Sequence, residues 1–415
     1  MRILLFTPYL KTRGGGEKLI AEYAKRSRHE VDIYTLAYIP EMTFEEFENL
    51  NVIEMGLNVN KKFAEAFFIR GLVYTYSSAF ARLPVNKYDA MLVSTGGFSE
   101  FVSIRNRIPG ATFMYCHSPL RLANDPMDMM FARMYAEDKF RKYVLPMAHR
   151  FYKILQHIGW RNFDYVFFNS NLSKQRAVSN KLIHERMTHV IHPGVELPGK
   201  VNRSEDNYII YVSRFTTMKR QIELLEAYRR FLKITGADIR LCLAGCTAQK
   251  WYYDKLVSMI KEYRLNDMVM LYPDVDDRTL HTELYPRALA GVFLGWREDF
   301  GIVPFEVMAH NKTLITTDCG GFTEIIDSSA PSVIFIKDAL SRELLIRRLT
   351  DALVSFYNNM DEYIKNAKNN RKFIEKKNLT WDRFAKDLDD WITLIYSINN
   401  QRFAVWGEDG VRIVW

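Results

Sequence analysis

From its first residues the chain alternates short apolar runs, rich in β-branched and aromatic residues, with longer amphipathic stretches, and it runs through that alternation twice. RILLFT, EVDIYTL, AMLVST, TFMYC, YVFFNS and HVIHP are the strand candidates of the first half. YIIYVS, IRLCLAG, MVMLYP, GVFLG, TLITTD and SVIFI are those of the second. A strand buried on both faces reads as a continuous apolar run, and strands alternating with helices imply a parallel sheet with helical crossovers. The stretch from Glu17 to Arg28 shows the helical half of the pattern, with Leu19, Ile20, Tyr23 and Ala24 on one face. Two doubly wound α/β domains are therefore expected, since 415 residues exceed one ordinary core.

The domain boundary is read at HPGVELPG and the polar segment KVNRSEDN, Lys200 to Asn207, which together have linker composition. This divides the chain into 1–199, 200–380 and a C-terminal helix and tail, 381–415. The tail QRFAVWGEDGVRIVW has two β-like runs around E-D-G, the pattern of a terminal hairpin. A helical insertion is expected over about 127–160, broken near Pro146, with aromatic and basic residues interleaved along it. Two readings of it stand: helices packing their aromatics onto the first domain, or a membrane-surface element.

Hydrophobic residues make up 48% and charged residues 26%, with no low-complexity tract, so the chain is expected to fold rather than form a disordered arm. The net charge of +8 favours an anionic partner: a nucleotide phosphate, a membrane surface or nucleic acid. Nucleic acid is disfavoured, because the cations do not gather in one run and no base-reading module is present. The four cysteines are scattered, and Cys242 and Cys246 lack the second pair of a zinc site, so all four are read as reduced thiols. MRILLFTPYL reads as neither signal peptide nor spanning helix, and no later run has the length to cross a bilayer. The expected location is cytoplasmic, with any membrane met from its inner surface.

Three stretches carry chemistry. Gly14, Gly15 and Gly16 follow the first strand and lead into a helix, where backbone N–H groups can approach a phosphate or a sugar. The spacing is not G-x-G-x-x-G, which disfavours a dinucleotide. Strand YIIYVS is followed by RFTTMKR, placing Arg214 past the strand end and Lys219 at the start of the next helix, where two cations can clamp a diphosphate. The third stretch, WREDFGIVPFEVMA, sets Glu298 in a loop and Glu306 inside a helix that begins near Ile302, with Pro304 in its first turn. The N–H groups of Phe300, Gly301, Ile302 and Val303 are expected to point outward there, and Glu306 to accept hydrogen bonds from a ribose diol.

The E-x7-E pattern around F-G-I-V-P, followed by a hydrophobic strand and GGFTEII, closely resembles the nucleotide-sugar site of retaining glycosyltransferases of family four. GGGE after the first strand, R-x4-K, and Trp381 before the last helix occur in that family's order, so the resemblance covers nearly the whole chain. It implies the GT-B fold: two Rossmann-like doubly wound domains facing each other across a cleft, the first for the acceptor and the second for the donor, with the C-terminal helix crossing back. TFMYCHSPLR looks like the family's H-x-P segment, with His117 at a strand end, and together with EDFGIVP it is most like mannosyltransferase members.

What the resemblance implies is transfer of a hexose, mannose from GDP-mannose or alternatively a sugar from UDP, to a polysaccharide or lipid-linked glycan. An inactive nucleotide-sugar binder is the other alternative. Arg214 and Lys219 would stabilise the departing diphosphate, Glu306 would hold the ribose, and Glu298 with the Phe300 to Val303 backbone would hold the sugar. Gly15 and Gly16 would close over it, and His117 would orient sugar or transition state. No cofactor or metal is expected: D-x-D within PDVDD is read as a loop and helix cap. After GGFTEII the chain departs from the family pattern, and Lys337 and Asp338 are expected to open a helix.

Overall fold

The computed structural model describes residues 1–56, 67–134, 139–199 and 206–408. The chain divides into two compact units, one of Met1–Gly194 with Trp381–Trp415 and one of Val195–Thr380. Residues 200–205 of the expected linker lie outside the described residues, and the division falls within HPGVELPG, between Gly194 and Val195.

The first unit is built on a seven-stranded sheet: β1 (Arg2–Thr7), β2 (Glu30–Thr35), β3 (Val52–Glu54), β4 (Ala90–Thr95), β5 (Thr112–Cys116), β6 (Tyr165–Phe168) and β7 (Thr188–Val190). Its order is β3-β2-β1-β4-β5-β6-β7 and its pairings are parallel. Every residue of β5 is buried, which is what an apolar run such as TFMYC requires. β3 was not foreseen: three half-exposed residues give no periodicity to read.

Val195–Thr380 carries six strands: β8 (Tyr208–Val212), β9 (Arg240–Gly245), β10 (Val269–Pro273), β11 (Ala290–Phe293), β12 (Thr313–Thr317) and β13 (Val333–Ile336). The order is β10-β9-β8-β11-β12-β13, again parallel. Helix Gln221–Thr235 covers this sheet with Leu224, Leu225, Tyr228 and Phe231, all fully buried. In both sheets the strand order reverses beside the first strand, at β1/β4 and at β8/β11. Ligands of doubly wound sheets bind at such points, beyond the carboxyl ends of the strands.

Helix α1 spans Gly15–Arg26, two residues earlier than read at each end. The last helix, Trp381–Glu408, packs on α1 in the first unit although it follows the second in sequence. Buried Asp389 anchors it, accepting from the Tyr23 hydroxyl at 2.9 Å, the Ser27 hydroxyl at 2.8 Å and the Arg28 N–H at 2.8 Å. Three donors on one carboxylate offset the cost of burying it.

Three expectations are corrected. The tail does not start as a hairpin: residues 401–408 continue the last helix, and the remainder lies outside the described residues. A short apolar run such as RFAVW fits either element, and here the helix already under way propagates through it. The insertion is not broken at Pro146, which sits inside helix Lys139–Trp160. Burial of Tyr152, Gln156 and Trp160 on one face outweighs the missing hydrogen bond. Finally, Lys337 and Asp338 do not open a helix. That helix is Arg342–Asn358, capped by the Ser341 hydroxyl, because Asp338 is engaged elsewhere.

Candidate active site

The loops that follow β8 and β11 are knit together at the reversal point of the second sheet. The Trp296 N–H donates to the Met218 carbonyl at 2.9 Å. Beyond this link, Lys219 Nζ lies 2.6 Å from Glu298 Oε2 and 5.4 Å from the centre of the Phe293 ring. The Lys219 ammonium is mostly withdrawn from water, and so is the Glu298 carboxylate. The two residues expected to touch adjoining parts of one ligand, the diphosphate and the sugar, are thus bonded to each other. Lys219 also sits in a single turn, Thr217–Lys219, rather than at the start of helix Gln221–Thr235. Arg220 between them adopts a left-handed conformation, φ 60°, which stops the turn running into the helix.

Arg214 is exposed just past β8, and its carbonyl accepts from Gln221 Nε2 at 2.9 Å. The neighbouring β9 ends at Gly245, whose φ of 136° and position make it irreplaceable: a Cβ there would lie 2.2 Å from the Ser213 carbonyl. On the other side, Gly320 (φ 140°) lets the segment after β12 bridge to Glu298, and the Gly321 N–H donates to the Glu298 carbonyl at 2.8 Å. The backbone of Glu298 is therefore held from one side while its carboxylate is held from the other.

Phe300 is a core residue, stacked on Phe305 at 5.0 Å. Gly301 has φ 79°, and Ile302 caps helix Val303–Ala309, its carbonyl accepting from the N–H groups of Phe305 and Glu306. Glu306 does not turn toward Glu298 in any described contact. Its Oε2 accepts from the Tyr285 hydroxyl at 2.8 Å, and its Oε1 lies 3.9 Å from His281 Nε2. Burial and then the Glu306 carboxylate push the Tyr285 phenol well above its usual range, so it stays a donor. His281 in turn meets His310 at 3.0 Å. His281 lies in a π-helical turn, Leu280–Leu284, that leads into Tyr285. Single π turns often mark functional segments.

Sequence reasoning missed Arg220. This side chain is 1% exposed, bonds Asp338 Oδ1 at 2.6 Å and the Ala339 carbonyl at 3.3 Å, and lies 4.6 Å over the Trp296 ring. Asp338 also accepts from the Cys319 thiol, whose pKa burial and then Asp338 push up to about 12. A Lys-Arg pair in a polar loop carries no signal as to which cation is buried. In PDVDD, the Asp276 carboxylate caps helix Asp277–Thr279 through the Thr279 N–H at 2.8 Å, and Asp274 accepts from the Thr247 N–H at 2.8 Å.

In the first unit, Gly14 caps α1, and Gly15 and Gly16 open it. A Cβ on Gly16 would lie 3.6 Å from His117 Nε2, an ordinary contact distance, so the imidazole lies against the helix start. His117 follows β5 directly. Its N–H continues the ladder to the Thr95 carbonyl, and its Nε2 lies 2.7 Å from the Ser94 hydroxyl. Burial lowers its pKa to about 4, and burial followed by His281 lowers that of His310 to about 3. Both imidazoles are neutral at pH 7. Between the unfolded value of 6.5 and these folded values, the unfolded chain binds protons that the native chain refuses, so stability rises with pH across that window. The urea midpoint is expected to be flat above pH 7 and to fall from pH 6.5 toward pH 4.5. His117→Asn should flatten that fall, and an equally steep fall in the variant would contradict this account.

Two doubly wound parallel sheets, each reversing its strand order beside its first strand, are those of the GT-B fold. Residues 196–369 match the family model "Glycosyl transferases group 1". The α-1,3/1,6-mannosyltransferase ALG2 of Saccharomyces cerevisiae is 23% identical over 364 residues, covering 76% of this chain and 69% of that protein. Among solved structures, sucrose-phosphate synthase of Thermosynechococcus elongatus superposes with a TM-score of 0.70 at 16% identity, covering 96% of this chain and all of that one. Anabaena HepE in complex with UDP-glucose superposes with a TM-score of 0.68 at 14% identity, covering 95% and 99%. These likenesses support a glycosyltransferase of the group 1, family-four type, an enzyme of the hexosyltransferase class.

Proposed function

We propose that the chain transfers mannose from GDP-mannose, with retention of configuration, to a polysaccharide or lipid-linked glycan, without a metal. The observation that carries the donor-site reading is the Lys219 ammonium 2.6 Å from Glu298 at the reversal point of the second sheet, with Arg214 exposed at the end of the adjoining strand. A departing diphosphate needs positive charge where its own charge develops, and two cations supply it there with no divalent ion. Mannose rests on the likeness to the yeast mannosyltransferase.

In this reading the C1–O bond to the diphosphate breaks while a bond from C1 to the acceptor oxygen forms on the same face. The acceptor hydroxyl proton passes to the departing phosphate oxygen. Lys219 moves from Glu298 to the phosphate, which releases the Glu298 carboxylate to the sugar hydroxyls. Glu306, aimed by Tyr285 and His281, takes the ribose diol. By the family resemblance, this reading also assigns Gly15, Gly16 and neutral His117 of the first unit to the sugar or transition state. A covalent intermediate on Glu298 is disfavoured, because in this reading its carboxylate is occupied by the sugar hydroxyls rather than by C1. A cytoplasmic location, with the acceptor met at the inner face of a membrane, completes the reading. UDP-sugars are the second reading, favoured by the Anabaena protein with bound UDP-glucose.

Calorimetric titration with GDP and UDP, and release of nucleoside diphosphate from GDP-mannose, UDP-glucose and UDP-N-acetylglucosamine, test the donor. GDP-mannose should turn over fastest, at a rate unchanged by a chelator. Glu306→Ala is expected to weaken nucleoside-diphosphate binding by about ten- to a hundredfold, the value of hydrogen bonds to a charged group. Wild-type affinity in that variant would remove Glu306 from the site.

A further inference from the structure

Among the described residues, ten of the seventeen large apolar side chains that stand exposed lie between Leu72 and Ile158, against three in Val195–Thr380. They are ordered. On helix Lys139–Trp160, Met147, Phe151, Ile154 and Ile158 are 74%, 62%, 66% and 50% exposed. Their spacing of four, three and four residues forms one stripe. Tyr152, Gln156 and Trp160 on the other side of the same helix are buried. The helix is thus apolar toward the protein and again toward water.

Helix α2 (Phe67–Phe80) repeats the arrangement with Leu72, Tyr76 and Phe80 exposed and Val73, Tyr74 and Ser77 buried. Both helices pack on the single turn Glu100–Ile104, where Ile104 is also exposed. A soluble surface rarely gathers so many large apolar groups without a partner to cover them.

Charge selects the partner. Neither helix contains an aspartate or glutamate, while Lys139–Trp160 carries Lys139, Arg141, Lys142, Arg150 and Lys153. Arg150 is exposed beside Phe151, and the Arg105 guanidinium lies 4.7 Å over the Phe80 ring. Apolar side chains interleaved with cations, with no acid to repel a phosphate, match the boundary between acyl chains and anionic headgroups. No described helix has the length and apolarity to cross a bilayer, so the fit is to its surface.

We infer that α2 and helix Lys139–Trp160 form a docking surface for a bilayer containing anionic phospholipid, with Phe151 and Ile154 entering the acyl boundary. The surface stands independently of the donor assignment.

Co-sedimentation of the full chain with vesicles of phosphatidylglycerol and phosphatidylcholine, and with phosphatidylcholine alone, tests it. Binding is expected to the mixed vesicles, at least tenfold weaker to the neutral ones, and weakened by salt. Phe151→Glu with Ile154→Glu should reduce binding to mixed vesicles at least tenfold with the urea midpoint unchanged. Arg150→Glu with Lys153→Glu should erase the preference for anionic lipid while leaving the fold intact. Wild-type binding in the Phe151/Ile154 variant would overturn the inference. So would absence of vesicle binding together with a dimer, seen by light scattering, that the same variant dissolves, since the surface would then belong to a second copy.

Discussion

Lys219→Met is expected to lower kcat for nucleoside-diphosphate release by about 10² to 10³ while leaving the fold intact, the loss found when one charge-stabilising donor is removed from an active site. Methionine keeps the length and lies as readily over the Phe293 ring, 5.4 Å from the ammonium in the native chain. What it removes is the charge that meets Glu298 at 2.6 Å and, in the proposed reaction, the departing phosphate. A structural role would show as a lower urea midpoint, whereas a role on the phosphate lowers kcat at an unchanged midpoint. Glu298→Gln supplies the comparison. It loses the carboxylate but leaves Lys219 in place, so nucleoside diphosphate should bind at least as well while sugar transfer falls. A Lys219→Met enzyme within threefold of the native rate would place the diphosphate elsewhere.

Arg220→Met is expected to act on stability, by about 3 to 5 kcal/mol, because it leaves one member of a buried ion pair without its counter-charge. Asp338 would keep the Cys319 thiol and the Ala339 N–H at 2.8 Å each, but lose the guanidinium at 2.6 Å. Arg220→Lys should recover only part of the loss, since an ammonium cannot reach both Asp338 and the Ala339 carbonyl while lying flat over Trp296. Urea unfolding monitored by Trp fluorescence and by circular dichroism measures both. A loss below 1 kcal/mol in Arg220→Met would mean that water replaces the pair at little cost. The prediction separates adjacent residues: Lys219 governs rate and Arg220 governs folding, though nothing in the order Lys-Arg distinguishes them.

That pair marks where sequence reasoning stops. Strands such as TFMYC and YIIYV were legible because a parallel strand buried on both faces has no choice but to be apolar throughout. The single turn before helix Gln221–Thr235 was not, because it depends on one residue, Arg220, taking a left-handed conformation that its type does not advertise. Pro146 argued for a break that burial of Tyr152 and Trp160 overrode. RFAVW was too short for its period to decide between strand and helix.

The alternation of apolar runs and amphipathic stretches, repeated once, was sufficient to determine two doubly wound sheets, and E-x7-E around F-G-I-V-P was sufficient to point to the loop after β11. Periodicity and loop position are properties of neighbours along the chain. Only the tertiary structure decided that Glu298 meets Lys219 and Glu306 meets Tyr285 and His281. Those partners lie 79, 21 and 25 residues apart in sequence. They are brought together by strand order and by the angle at which a π turn presents its side chains, which no local pattern encodes.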